Sequence, residues 1–144
     1  MSGIINGDIV AMCRVDVAGG VATYGFANGF ETGTPEGATA GSPAIERVAT
    51  GDFILYLDDQ VEYGSATQQG GLVAMAISAD TGVVVPSVRF CTVGHGDTAG
   101  EDAAYVGVDN RKKLHVYCYT DAGALLDPTG FTVIAFRNPV TLFP

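Results

Sequence analysis

Apolar and polar positions alternate with a period of two over short stretches separated by turn residues. From Ile9 to Val17, the side chains of Ile9, Ala11, Cys13, Val15 and Val17 share one face; Val10, Met12, Arg14 and Asp16 share the other. The second half of that run is apolar on one side and polar on the other, as a half-buried strand requires. Gly19-Gly20 then supplies a tight turn, and Val21 to Phe26 returns antiparallel. Ile45 to Ala49 and Phe53 to Leu57 are the next strands, joined by Thr50-Gly51-Asp52. In the latter, Phe53, Leu55 and Leu57 face one way and Ile54 and Tyr56 the other, so both faces are apolar and the strand is predicted to be central. Leu72 to Ala79 and Val83 to Thr92 flank Asp80-Thr81-Gly82, which reads as a hairpin turn. Pro86 places the second of these at an edge or bulge. Tyr105 to Val108 and Leu114 to Tyr119 flank Asp109-Asn110-Arg111, a third predicted hairpin, and Phe131 to Phe136 closes the series. No stretch sustains a helical period.

Roughly eight or nine strands of ordinary length predict an all-β, antiparallel, jelly-roll-like β-sandwich. The 144 residues form one domain, 1–144. It carries a short N-terminal arm over residues 1–8 and a long loop over residues 28–43, from Asn28 to Pro43, rich in glycine and proline.

Charge changes this picture. Charged residues are only 16% of the chain against 47% hydrophobic, below the roughly 25% charged of an ordinary soluble domain. Apolar surface is therefore expected to be covered by another chain. The expected state is a homo-oligomer, with Tyr56, Tyr117 or Tyr119 as contact residues. The net charge of −9 argues against a nucleic-acid partner. The densest basic cluster, Arg111-Lys112-Lys113, reads as a solvated hairpin tip. No apolar run approaches the ~18 residues of a membrane span, so no membrane partner is expected. The start, Met1-Ser2-Gly3-Ile4, lacks the pattern of a secretory signal, which predicts synthesis and folding in a cytoplasm.

No residue is expected to be catalytic, cofactor-binding or metal-binding, and an enzyme is not expected. His95, with Glu101 and Asp102 in a glycine-rich loop from Gly94 to Asp102, is the best metal or acid–base candidate, but its spacing fits no ligand pattern. His115 shares a strand face with Lys113, Tyr117 and Tyr119. Ser42 and Ser65 lack the context of a hydrolase elbow, and Asp58, Asp59 and Glu62 read as a solvated turn. Cys13, Cys91 and Cys118 are odd in number, widely spaced and set in apolar runs, so each reads as a small buried hydrophobe.

Three segments carry a resemblance to a known family. Ala49-Thr50-Gly51-Asp52-Phe53-Ile54-Leu55-Tyr56-Leu57 resembles a recurrent strand opening. Leu114 to Gly123, ending Asp121-Ala122-Gly123, resembles a strand closed by a turn. Asp127-Pro128-Thr129-Gly130, leading into Phe131–Phe136, resembles the closing strand of C1q-like and tumour-necrosis-factor-like jelly rolls. Together they resemble the small β-sandwich (C1q-like) domains of tailed-phage virion proteins. The resemblance spans about two-thirds of the chain, Ala49 to Phe136, and brings no catalytic motif. It implies a structural virion protein, most directly a capsid decoration (head auxiliary) protein that packs on itself as a homotrimer and on the major capsid protein or another virion protein. The alternatives are a fibre or neck component, or a recognition module for a glycan or protein. The arm Met1–Asp8, with Ile4 and Ile5, or the tail Val140–Pro144 is the expected anchor to the particle.

Overall fold

The computed structural model describes residues 9–33, 45–58, 61, 72–80, 86–95 and 112–137. Among them are eight strands and no α-helix. These are β1 (Ile9–Ala18), β2 (Val21–Asn28), β3 (Ile45–Ala49), β4 (Asp52–Tyr56), β5 (Leu72–Ser78), β6 (Phe90–His95), β7 (Lys113–Tyr119) and β8 (Gly130–Arg137). They form two four-stranded antiparallel sheets with strand orders β2-β1-β8-β5 and β3-β4-β7-β6. The chain passes between sheets after β2, β4, β5 and β7, and the first strand lies beside the last.

The inward positions of both sheets fuse into one core. Cys13, Val15, Phe131 and Val133 come from one sheet and Phe53, Leu55, Leu114, Val116 and Cys118 from the other; each is at most 1% exposed. The rings of Phe53 and Phe131 bridge the sheets, tilted and 5.1 Å apart. The sandwich is the one that the period-two pattern predicts. β4 lies inside its sheet and is buried along its whole length, as apolar residues on both faces require. The Gly19-Gly20 turn joins β1 to β2 with φ of 58° and 77°. Paired positive φ values are those of the hairpin turn matching strand twist.

Two expectations are corrected. Among the described residues, the strands before and after Asp80 are not hairpin partners: β5 pairs with β8 and β6 pairs with β7 in the other sheet, while residues 81–85 lie outside the described residues. Asp80 is instead a clamp. Its carboxylate accepts from the Val88 N–H at 2.9 Å, the Thr129 N–H at 2.8 Å and the Thr129 hydroxyl at 2.7 Å. It thereby ties the segments entering β6 and β8. Lys112 and Lys113 are not solvated either, being 4% and 0% exposed. Lys113 opens β7 opposite Tyr56, and the Lys112 carbonyl accepts from the Leu57 N–H. The predicted strand Tyr105–Val108, the Asp109-Asn110-Arg111 turn, residues 34–43 of the long loop, Ser65, Asp59, Glu62, Glu101, Asp102, the arm and the tail lie outside the described residues.

A second clamp joins the three segments that carry the family resemblance. The β3–β4 turn needs Gly51 at φ +68°. Its N–H donates to Asp127 Oδ1 at 2.8 Å, and its carbonyl accepts from the Cys118 N–H at 2.8 Å. Arg47 grips the same carboxylate from Nε at 3.0 and 3.1 Å and from its terminal nitrogen at 2.7 Å. Burial alone would raise the Asp127 pKa, but the Arg47 hydrogen bond, the Gly51 N–H and the Arg47 charge hold it below its ordinary value. At Asp80, too, burial raises, yet the donors on Thr129 and Val88 hold the carboxyl low.

A carboxylate held low in the folded state adds stability above its unfolded pKa of about 4, and that contribution is lost as pH falls through the folded value. The loss of stability as pH falls below about 4 is therefore expected to be shallower in Asp127→Asn and Asp80→Asn. Each variant should melt lower than the parent at pH 7, with the gap closing in acid. Glycine substitution checks the turn. A Cβ on Gly51 would lie 2.8 Å from the Cys118 carbonyl and from the Leu126 nitrogen, both backbone, whereas one on Gly123 meets nothing within 4 Å. Gly123→Ala, at φ +79°, is expected to cost about 1 kcal/mol, and Gly51→Ala about 3 kcal/mol or more, in denaturant titrations.

Candidate functional site

The two outer sheet faces differ in chemistry. On the β3-β4-β7-β6 sheet, β7 turns Lys113, His115, Tyr117 and Tyr119 away from the core, as alternation predicts. His115 Nε2 meets Asp52 Oδ1 across the β4–β7 ladder, both side chains being about one-tenth exposed. The His115 ring lies 4.1 Å from that of Tyr117, Tyr117 lies 6.2 Å from Tyr119, and Tyr119 stacks on Phe90 at 5.2 Å. The result is an aromatic ladder from the sheet interior to the exposed ring of Phe90. Asp52 fixes the orientation of the imidazole.

Tyr56, expected to be a contact residue, is fully buried, and its hydroxyl donates to Glu46 Oε2 at 3.2 Å. Tyr117 and Tyr119 are half-buried in the ladder. Gly94 and His95 end β6, and residues 96–102 of the candidate loop lie outside the described residues. Among the described residues, no three His, Cys, Asp or Glu side chains converge as a metal site.

The feature that sequence reasoning missed is on the other sheet. β5 points its small residues, Ala74 and Ala76, at the core and its large ones, Val73, Met75 and Ile77, at solvent. Those three are 48%, 45% and 57% exposed. Strand register extends them into three rows across the sheet: Ile9–Phe136–Val73, Asn28–Met12–Ile134–Met75, and Phe26–Arg14–Thr132–Ile77. Ile9 and Phe26 are also exposed. The one charge within these rows is Arg14, and Asp16 on the same strand pairs with it at 3.0 Å. At the β2 end, Phe26 continues into a shallow groove of about 500 Å³ lined also by Ala22, Tyr24, Ala27 and Ile45.

The signal for this face was the run Leu72-Val73-Ala74-Met75-Ala76-Ile77, where large and small apolar residues alternate. A binary apolar–polar reading sees only a continuous apolar run there. The side-chain sizes carry the inversion. Compared with protein-family models, curated proteins and solved structures, the chain shows no match.

Proposed function

We propose that this protein is a structural, self-associating jelly roll of a tailed-phage particle, a head decoration protein whose copies pack as a homotrimer through the outer face of the β2-β1-β8-β5 sheet. The observation that carries the reading is β5, with large apolar side chains facing out and alanines facing in. An antiparallel sandwich that stands alone keeps its outer faces polar. A second copy of the chain is the occupant that charge favours. The chain carries −9 overall, yet the only charged side chain in the three rows is paired beside them, so copies approach there without like-charge repulsion. A face built from four adjacent strands also suits the repeated contact of a closed ring.

The virion assignment is supported by the resemblance of Ala49–Leu57, Leu114–Gly123 and Asp127–Phe136. Those segments meet at the Gly51–Asp127 clamp, and the passage of the chain between sheets is the arrangement expected of a jelly roll. A second reading, a recognition module for a glycan, is favoured by the Phe90–Tyr119–Tyr117 ladder, whose flat rings suit an apolar sugar face.

Size-exclusion chromatography of surface variants tests the packing. Ile77→Asp and Met75→Asp are expected to weaken the trimer at least a hundredfold, about 3 kcal/mol, because each copy would bury an unpaired carboxylate. Both should stay folded, since neither side chain belongs to the core. Thr92→Asp, exposed on the opposite sheet, should leave assembly unchanged. Equal elution of Ile77→Asp and the parent would overturn the assigned face. Quantitative protein analysis of purified particles tests the location: many copies per head are expected, and absence from the particle would refute the virion reading.

A further inference from the structure

Cys91 and Cys118 are 27 positions apart in sequence and directly opposite in the β6–β7 ladder, with their sulfur atoms 3.2 Å apart. Both are free thiols. The Cys118 N–H donates to the Gly51 carbonyl on the β4 side, and its own carbonyl accepts from the Leu126 N–H. Neither backbone group of Cys118 is spent on β6, so Cys91 and Cys118 form a non-hydrogen-bonded pair. At such pairs the Cα atoms lie about 4.5 Å apart, inside the roughly 4.4–6.8 Å range that a disulfide spans.

We propose that Cys91 and Cys118 are a redox-active pair that closes to a cross-strand disulfide when the protein meets a small-molecule disulfide such as oxidised glutathione. The two sulfurs divide the work. Cys91 is half-buried and Cys118 fully buried. The Cys118 thiol donates to Cys91, which lowers the Cys91 pKa against the effects of burial and the Asp80 charge and raises that of Cys118. The Cys91 thiolate attacks one sulfur of oxidised glutathione and expels one glutathione thiolate. Cys118 then loses its proton to solvent and attacks Cys91 Sγ, expelling the second. Two protein thiols are oxidised by two electrons, and one glutathione disulfide is reduced to two glutathione thiols. Cys13, buried on β1 in the other sheet with its thiol pushed up to about 12 by burial, is an internal control.

The staple would fasten β6, the last strand of its sheet among the described residues, to β7. It would stay open in a reducing cytoplasm and close outside it.

The test is incubation of the folded full-length chain with oxidised glutathione, followed by alkylation under denaturing conditions and peptide mass analysis. Loss of two hydrogens per chain is expected, with a Cys91–Cys118 linked peptide and an alkylated Cys13. The melting temperature should rise on the order of 10 °C and return on reduction. Cys118→Ser should instead hold a mixed disulfide with glutathione on Cys91. Three results overturn the proposal: a persistent mixed disulfide on the unaltered chain, a link involving Cys13 or a second chain, or three free thiols after exposure.

Discussion

The Asp127 carboxylate holds the sandwich together at one end. It lies against the β3–β4 turn, satisfies the Gly51 N–H and pairs with the edge of the Arg47 guanidinium formed by Nε and one terminal nitrogen. Charge-assisted hydrogen bonds of this bidentate kind are stronger than neutral ones and fix direction as well as distance. Because Gly51 also accepts from the Cys118 N–H, the same turn sets how β7 meets β4. Asp127 lies just before β8, so the clamp orients the strand that runs beside β1 in the opposite sheet. Asp80 joins the ends of β5, β6 and β8 in the same way. Two acidic side chains thus tie together connections that pass between sheets, where no ladder hydrogen bond can serve.

With the sheets fixed, the inner faces share a core and the outer faces diverge. Around β4 even the outward residues Ile54 and Tyr56 are buried, and polarity is confined to paired groups such as Tyr56 with Glu46. The opposite sheet presents Val73, Met75 and Ile77 to solvent while spending alanines on the interior. Burying apolar area is worth roughly 25 cal/mol per Å², so the larger side chains turned outward leave that stabilisation unrealised in the single chain, and large exposed apolar patches are features of interaction surfaces. The aromatic ladder on the β7 side is more polar at its interior end, where Asp52 holds His115, and suits contact with ligand or solvent.

The strands were legible in the sequence because a strand must show a different face at each step. Ile9–Val17, Leu114–Tyr119 and Phe131–Phe136 lie within a residue or two of β1, β7 and β8. The Gly19-Gly20 turn was legible because its constraint is local: both residues need positive φ. Other features depend on partners far along the chain. Asp80 has the letters of a hairpin, but its donors are Val88 and Thr129. Lys113 belongs to a basic run, but strand register sets it opposite buried Tyr56. Cys91 and Cys118 have no motif spacing, and only the pairing of β6 with β7 brings them together.

The account turns on the outer face of the β2-β1-β8-β5 sheet being covered by copies of the same chain. Sedimentation equilibrium of the unaltered protein at micromolar concentration measures this most directly. The account predicts a particle of three times the 14.8 kDa chain mass, dissociating on dilution without unfolding. A stable, soluble 14.8 kDa monomer across that concentration range would contradict it.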